Sequence, residues 1–304
     1  MIREKGRLKM NQLSEKNKGI LFIISAAFCF ALMNLFVKAA GDLPFFEKVF
    51  FRNAIAILFS YSVLVKNHIP LKCGKGNGLL VCGRAFFGTV GMFGNFYAID
   101  RLAISDASML NKLSPFFAIL FSYFILKEKA KPYQLACVAV AMLGTIFILK
   151  PGGETLLSFP AFIGMLGGAG AGLAYTLLRK ATGRGVKGPF IIFFFSCFSC
   201  AMCLPFFIHY YEPMTARQLL FMILAGFSAT GGQFSITAAY SHAKASEISV
   251  YDYSQVLFAG VLGFTFLGEL PDGMSVTGYV IIIGASITMF LLNQRQEKSS
   301  TASH

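Results

Sequence analysis

The sequence predicts an all-α integral membrane protein whose ten transmembrane helices form a 5+5 inverted-topology repeat. Three observations carry that expectation. The composition is too poor in charge to cover a water-facing surface, ten apolar stretches are long enough to cross a bilayer, and the chain matches itself without a gap at an offset of 141 residues.

Of 304 residues, 56% are hydrophobic and 13% charged, with a mean hydropathy of +0.65. A soluble domain carries about 25% charged residues, so ordinary soluble folds are excluded. The net charge of +13 would suit a nucleic-acid binder. Here, however, the basic residues sit in short clusters between apolar runs, which is how topology signals are distributed. The expected surroundings are therefore a lipid bilayer, with no nucleic-acid partner. With 34 Phe and no Trp, any aromatic belt must come from the 11 Tyr.

A spanning helix needs about 20 mostly apolar residues. Such stretches lie at about 19–38, 45–65, 79–99, 103–126, 133–149, 159–178, 189–208, 218–241, 246–268 and 274–292. Orientation follows from the charges between them. If both termini are cytoplasmic, 19 of the 27 Lys and Arg fall on the inside and four on the outside, with Lys48, Arg52, Arg84 and Lys112 within or at the ends of spans. That bias places both ends in the cytoplasm of a multi-pass protein of the cell membrane. The first span is too long for a cleaved secretory signal and ends in Lys38, so it is expected to be retained. The organisation is a basic N-terminal tail at 1–17, a first repeat at 18–150, an external loop at 151–157, a second repeat at 158–292 and a C-terminal tail at 293–304.

The internal match pairs Ser105–Glu128 with Ser246–Glu269, aligning Asp106 with Glu247, Ser108 with Ser249 and Glu128 with Glu269. A weaker match pairs residues 35–39 with 177–181. Five spans repeated are an odd number, so the halves enter the membrane from opposite sides. That arrangement is common in secondary transporters, with a site near the midplane between the halves.

The residues Phe96-Tyr97-Ala98 leading to Ser105-Asp106-Ala107-Ser108, then Leu113-Ser114-Pro115 and Leu126-Lys127-Glu128, resemble the EamA-type members of the drug/metabolite transporter superfamily. Arg52, in Phe51-Arg52-Asn53, resembles that family's arginine in helix two. The resemblance covers about 18–150 and 158–292 and implies ten helices and a carrier of small metabolites, often an exporter. In the second half Val256 replaces Pro115 and nothing replaces Arg52.

Lys112 lies close to mid-membrane, where a lysine costs about 2.5–3.5 kcal/mol on insertion scales. It needs a partner or a wet cavity. Ser105, Ser108, Lys112 and Pro115 share one helical face, which is the polar stripe expected to line the cavity. Asp252 is the strongest acidic candidate, placed by the repeat opposite Asn111 and beside the position of Lys112. Together the two charges would suit a zwitterion; Asp252 could instead be a proton site, or the two could form a structural pair. Tyr253, Asn34, Asn95, Tyr97, Tyr175, Gln233 and Tyr240 supply further polar or aromatic groups for the cavity, and Arg52 either faces an outward vestibule or snorkels.

Gly88, Gly91 and Gly94, and Gly164, Gly168 and Gly172, form small-residue faces suited to close helix packing. Cys197, Cys200 and Cys203 have metal-like spacing but lie at lipid depth and read as packing residues. With no protease, hydrolase or nucleotide-binding motif present, neither enzyme chemistry nor a cofactor is expected. The expected function is secondary active transport of a zwitterionic amino acid or amino-acid derivative, with export favoured and proton or ion coupling possible, by a monomer or homodimer. An organic-anion carrier of the same fold, handling sugar phosphates or nucleotide-linked compounds, is the alternative. A membrane-embedded lipid-modifying enzyme is the alternative of another class.

Overall fold

In lipid a backbone must satisfy its own N–H and C=O groups, so apolar stretches become helices. The computed structural model describes residues 2–101, 110–149, 158–268 and 270–302. Among them are eleven helices and no strand: α1 Ile2–Ala39, α2 Phe45–Lys66, α3 Gly78–Arg101, α4 Ser114–Leu126, α5 Pro132–Leu149, α6 Phe159–Gly183, α7 Gly188–His209, α8 Ala216–His242, α9 Ala245–Asp252, α10 Ser254–Leu267 and α11 Gly273–Ala302. Seven of the described helices, α1, α2, α5, α6, α7, α8 and α11, are long and apolar enough to cross a membrane. Leu58, Phe124, Ile208, Phe266 and Val280 are among the large apolar side chains left exposed, as a lipid-facing surface requires.

The three other expected spans are the ones that carry polar chemistry. Helix α3 holds Arg84 and Asn95 in its length. Of the stretch 103–126, Leu110 onward is described, and its helix is interrupted by a turn at Lys112 and Leu113 before α4 begins. The stretch 246–268, expected as one helix, is divided at Tyr253 into α9 and α10. The two interruptions coincide under the repeat offset, Lys112 with Tyr253. The second occurs without a proline, since Val256 stands where the first half has Pro115. The outer ends correspond too: Lys127 and Gly268, again 141 apart, both end their helices with positive φ, 56° and 69°.

Packing follows the same exchange of halves. Helix α3 packs on α6 as α1 packs on α8, α4 packs on α6 as α9 and α10 pack on α1, and α5 meets α11 as α2 meets α7. Contacts at one end of the bundle locate the chain ends. Glu15 touches His242, Arg179 reaches the carbonyl of Ala243 and the carboxylate of Glu128, and Lys131 bonds Gln296. The beginning and the end of the chain therefore share one face. Helix α4 ends on that face, whereas α11 runs toward it, so α11 begins, and α10, the repeat mate of α4, ends, on the other. These two repeat mates thus point in opposite directions.

The glycine faces let the crossing helices reach backbone contact. A Cβ on Gly91 would stand 2.8 Å from the amide of Ala171, and one on Gly172 would stand 2.7 Å from the amide of Ala118. Gly91 and Gly94 meet α6 along Gly167 and Gly170, while Gly164, Gly168 and Gly172 receive Leu110 and α4. One glycine-bearing helix thereby positions both a partner span and the interrupted helix. Gly91→Ala is expected to destabilise the purified protein by about 1–3 kcal/mol through overpacking, read as a lower melting temperature in detergent. Gly284→Ala, with nothing within 4 Å of the new Cβ, is the control and should leave the melting temperature unchanged or raise it.

Candidate functional site

The two helix interruptions face each other between the halves, and each supplies what the other lacks. In the first, the amide of Leu113 turns back to the carbonyl of Leu110 at 3.2 Å, and Pro115 has no N–H to offer. The Lys112 carbonyl accepts the Tyr253 hydroxyl at 3.0 Å. In the second, the amide of Val256 turns back to Tyr253 at 3.0 Å. The Asp252 carbonyl accepts from Lys112 Nζ at 3.4 Å.

Lys112 Nζ also lies 3.2 Å from Asp252 Oδ2 and donates to Gln255 Oε1 at 2.6 Å. The two charged side chains are only 9% and 13% exposed, so the pair is largely removed from water and its net energy rests on geometry and added hydrogen bonds. Tyr253 is fully buried, and its hydroxyl also lies 3.8 Å from the Met142 sulfur. Asn111, one residue before Lys112, is partly accessible. Ser108 lies outside the described residues. Its repeat mate Ser249 is buried on α9.

A second cluster adjoins the first through Tyr175. The Tyr175 ring stacks on Tyr240, with centroids 5.0 Å apart and planes at 14°. Its hydroxyl lies within electrostatic range of Asp252, Arg84 and Arg52. Arg84 Nη2 donates to Gln233 Oε1 at 3.3 Å, and its guanidinium carbon sits 4.3 Å above the Phe195 ring. Arg52 Nη1 approaches the Met92 sulfur at 3.2 Å. Arg52 therefore faces inward, toward α3, rather than snorkelling. Three expected residues take other places. Tyr97 offers its ring to Arg101 at 4.0 Å, at the C-terminal end of α3, Asn34 is exposed on α1, and Asn95 is partly accessible with a buried, unpartnered Oδ1.

On the face that holds the chain ends, Arg179 clamps three helices. It pairs with Glu128 at 2.7 Å and donates to the carbonyls of Tyr240 and Ala243 at 3.1 and 2.6 Å, while Ser122 Oγ donates to Glu128 Oε2 at 2.7 Å. The span expected at 159–178 stops one residue short of Arg179. Arg179 belongs to α6, which runs to Gly183. A cation at the C-terminal carbonyls of α8 is electrostatically favoured, and Glu128 ties that cation to the first half. Toward the other face, fully buried Glu47 accepts from the Glu212 amide. Cys203 is buried, and Cys200 Sγ faces the Phe50 carbonyl at 3.7 Å, so these thiols are packed among the helices.

Gln255 and Arg84 were not among the expected site residues. The signal for Gln255 was its place three residues after Asp252, on the same helical face. The signal for Arg84 was a guanidinium in the middle of an apolar helix, which alone marks a functional position in a membrane.

A helical bundle with an apolar exterior, two interrupted helices meeting at its centre and charges held between its halves has the construction of a membrane transporter. The chain belongs to the EamA-like transporter family, whose model matches residues 17–150 and 158–291. It is 32% identical over 273 residues to the pseudopaline exporter of Pseudomonas aeruginosa, covering 89% of this chain and 95% of that one. It is 23% identical over 292 residues to the S-adenosylmethionine uptake transporter of Rickettsia prowazekii, covering 91% and 95%. A solved crystal structure shares the fold at a TM-score of 0.77 with 18% identity, over 92% of this chain and 99% of its own. The protein is thus a multi-pass membrane transporter of the drug/metabolite superfamily rather than an enzyme.

Losing one member of a buried ion pair costs about 3–5 kcal/mol, whereas apolar replacement of both is close to neutral. Lys112→Met and Asp252→Leu should therefore each lower the melting temperature, and the double variant should recover most of the loss. Tyr253→Phe should cost about 1 kcal/mol by removing one hydrogen bond. Additive losses in the double variant would show that the pair does not couple the halves.

Proposed function

We propose that this chain is a secondary active transporter that exports a small zwitterionic amino acid or amino-acid derivative across the cell membrane by alternating access. In this reading ten spans form two inverted halves of five with both termini cytoplasmic. The observation that carries it is the Lys112–Asp252 pair at the point where two opposed helix breaks meet. A cation and an anion held by each other at 3.2 Å can be exchanged, one for one, for the carboxylate and the ammonium of a zwitterion. Substrate thereby replaces an interaction that joins the halves, which couples occupancy to their relative position. Asn111, Gln255 and Tyr253 flank the exchange, and Tyr175 and Tyr240 form an aromatic wall beside it.

Alternating access also needs a closure on each face. The Arg179–Glu128 clamp joins the second half to the first where the chain ends lie, and the Glu47–Glu212 contact joins them toward the opposite face. The excess of Lys and Arg in the segments joined on the first of these faces supports its assignment as cytoplasmic. The pseudopaline exporter at 32% identity supports the outward direction.

The test is substrate counterflow with purified protein in sealed vesicles. Vesicles preloaded with a zwitterionic compound should accumulate its labelled form without ATP. Lys112→Gln and Asp252→Asn should each abolish that exchange while leaving the protein monodisperse. Exchange of phosphorylated sugars that Asp252→Asn leaves intact would replace this reading with the anion carrier.

A further inference from the structure

The Lys112–Asp252 pair is electrically neutral as a unit, but the cluster beyond Tyr175 is not. Arg84 is 2% exposed, its Nε has no hydrogen-bond partner, and its one side-chain acceptor is a neutral amide, that of Gln233. Among the described residues, Arg52 has only a thioether as acceptor. Among the described residues, no ion pair includes either arginine. Two guanidiniums inside a membrane bundle, without an acid among the described residues, are a costly arrangement that a purely structural role does not require. Gln233 and the Phe195 ring hold the guanidinium plane of Arg84 in place while leaving N–H groups unspent. A fixed fork of this kind matches a carboxylate or a phosphate in bidentate fashion.

We propose that Arg84 and Arg52 form a second, anion-binding subsite that receives acidic groups of the substrate additional to its zwitterionic head. The inference rests on the zwitterion reading of the Lys112–Asp252 end and extends it. In this reading the substrate site is polar at both ends, with Asp252 for an ammonium at one and the two arginines at the other. The complementary ligand is an amino compound of net negative charge with two or more acidic groups, not a neutral amino acid. The arginines come from α2 and α3 of the first half, whereas Tyr175, Gln233 and Asp252 come from α6, α8 and α9 of the second. A ligand that spans both ends therefore ties the halves together through its own length.

The experiment measures binding by melting-temperature shift with pairs matched in size, glutamine against glutamate and S-carbamoylmethylcysteine against S-carboxymethylcysteine, with glucose 6-phosphate as a third probe. A charge-assisted bidentate contact predicts that wild type prefers the acidic member by about tenfold or more. Arg84→Gln should erase that preference, Arg52→Gln should reduce it, and neither should weaken the neutral member. Arg84→Gln should leave the ligand-free melting temperature unchanged or raised, because it removes an unpaired buried charge. A structural role would instead lower that temperature and spare the preference, which would overturn the proposal. Equal binding of both members to wild type would overturn it as well. The zwitterion reading fails separately. If Asp252→Asn leaves glutamate binding intact while Arg84→Gln removes it, the arginine subsite stands and the ammonium site does not.

Discussion

The structure depends on satisfying polar backbone at the centre of a membrane. A helix interrupted at that depth has carbonyls without intrahelical partners, and lipid offers none. Here two such interruptions are placed face to face, and the side chain at each satisfies the other. The Tyr253 hydroxyl serves the Lys112 carbonyl at 3.0 Å, and Lys112 Nζ serves the Asp252 carbonyl at 3.4 Å. Either break alone would be expensive. The two are mutually conditional, so the pairing of the halves at this point is a requirement of the backbone before it is a matter of side-chain charge.

Close packing sets how precisely the breaks can meet. Gly168 brings α6 within 2.7 Å, measured from the position of a Cβ, of the Leu110 carbonyl, and Gly172 does the same at Phe117 and Ala118. The helix carrying Lys112 is thereby seated on α6 just before and just after its interruption. Association of helices in lipid draws on such contacts because burial of apolar surface gains little there. Contacts of this kind permit sliding with little change in energy, whereas charge pairs have discrete made and broken states. The division of labour is therefore between glycine faces that tolerate movement and ion pairs, Lys112–Asp252 and Arg179–Glu128, that resist it.

Much of this was legible in the sequence, because the bilayer imposes length and hydropathy on every span. The offset of 141 residues relates the two interruptions but did not announce them, since 246–268 reads as one helix and only the first half carries a proline at this position. Val256 occupies the second position, which shows that a pairing across the halves can hold a break open where no proline forces one. Lys112, Asp252 and Tyr253 were legible as intramembrane polar residues, but the closeness of their contact was not, since an offset gives correspondence and not distance. Arg179 was misplaced because a basic residue at the end of an apolar run reads as a topology signal. Its role in capping α8 depends on the approach of two helices that the sequence does not encode locally. Tyr97 shared the composition of a cavity residue, yet its ring serves Arg101 at the end of α3.

The asymmetry of charge between the halves has a physical consequence for transport. In the proposed inverted repeat of two five-helix halves, the two faces would open with comparable ease if the side chains were symmetric as well. They are not: Arg179 has Val37 as its repeat mate, and both Arg52 and Arg84 belong to the first half alone. An inverted repeat supplies two geometries of similar energy, and unsymmetrical charges bias one over the other by an amount that a ligand can offset. In the proposed mechanism a ligand bearing opposite charges at its two ends would act on that bias twice, displacing Lys112 from Asp252 and neutralising the arginines. The fold supplies the two states, and the few charged side chains that break its symmetry determine which state an empty or an occupied cavity prefers.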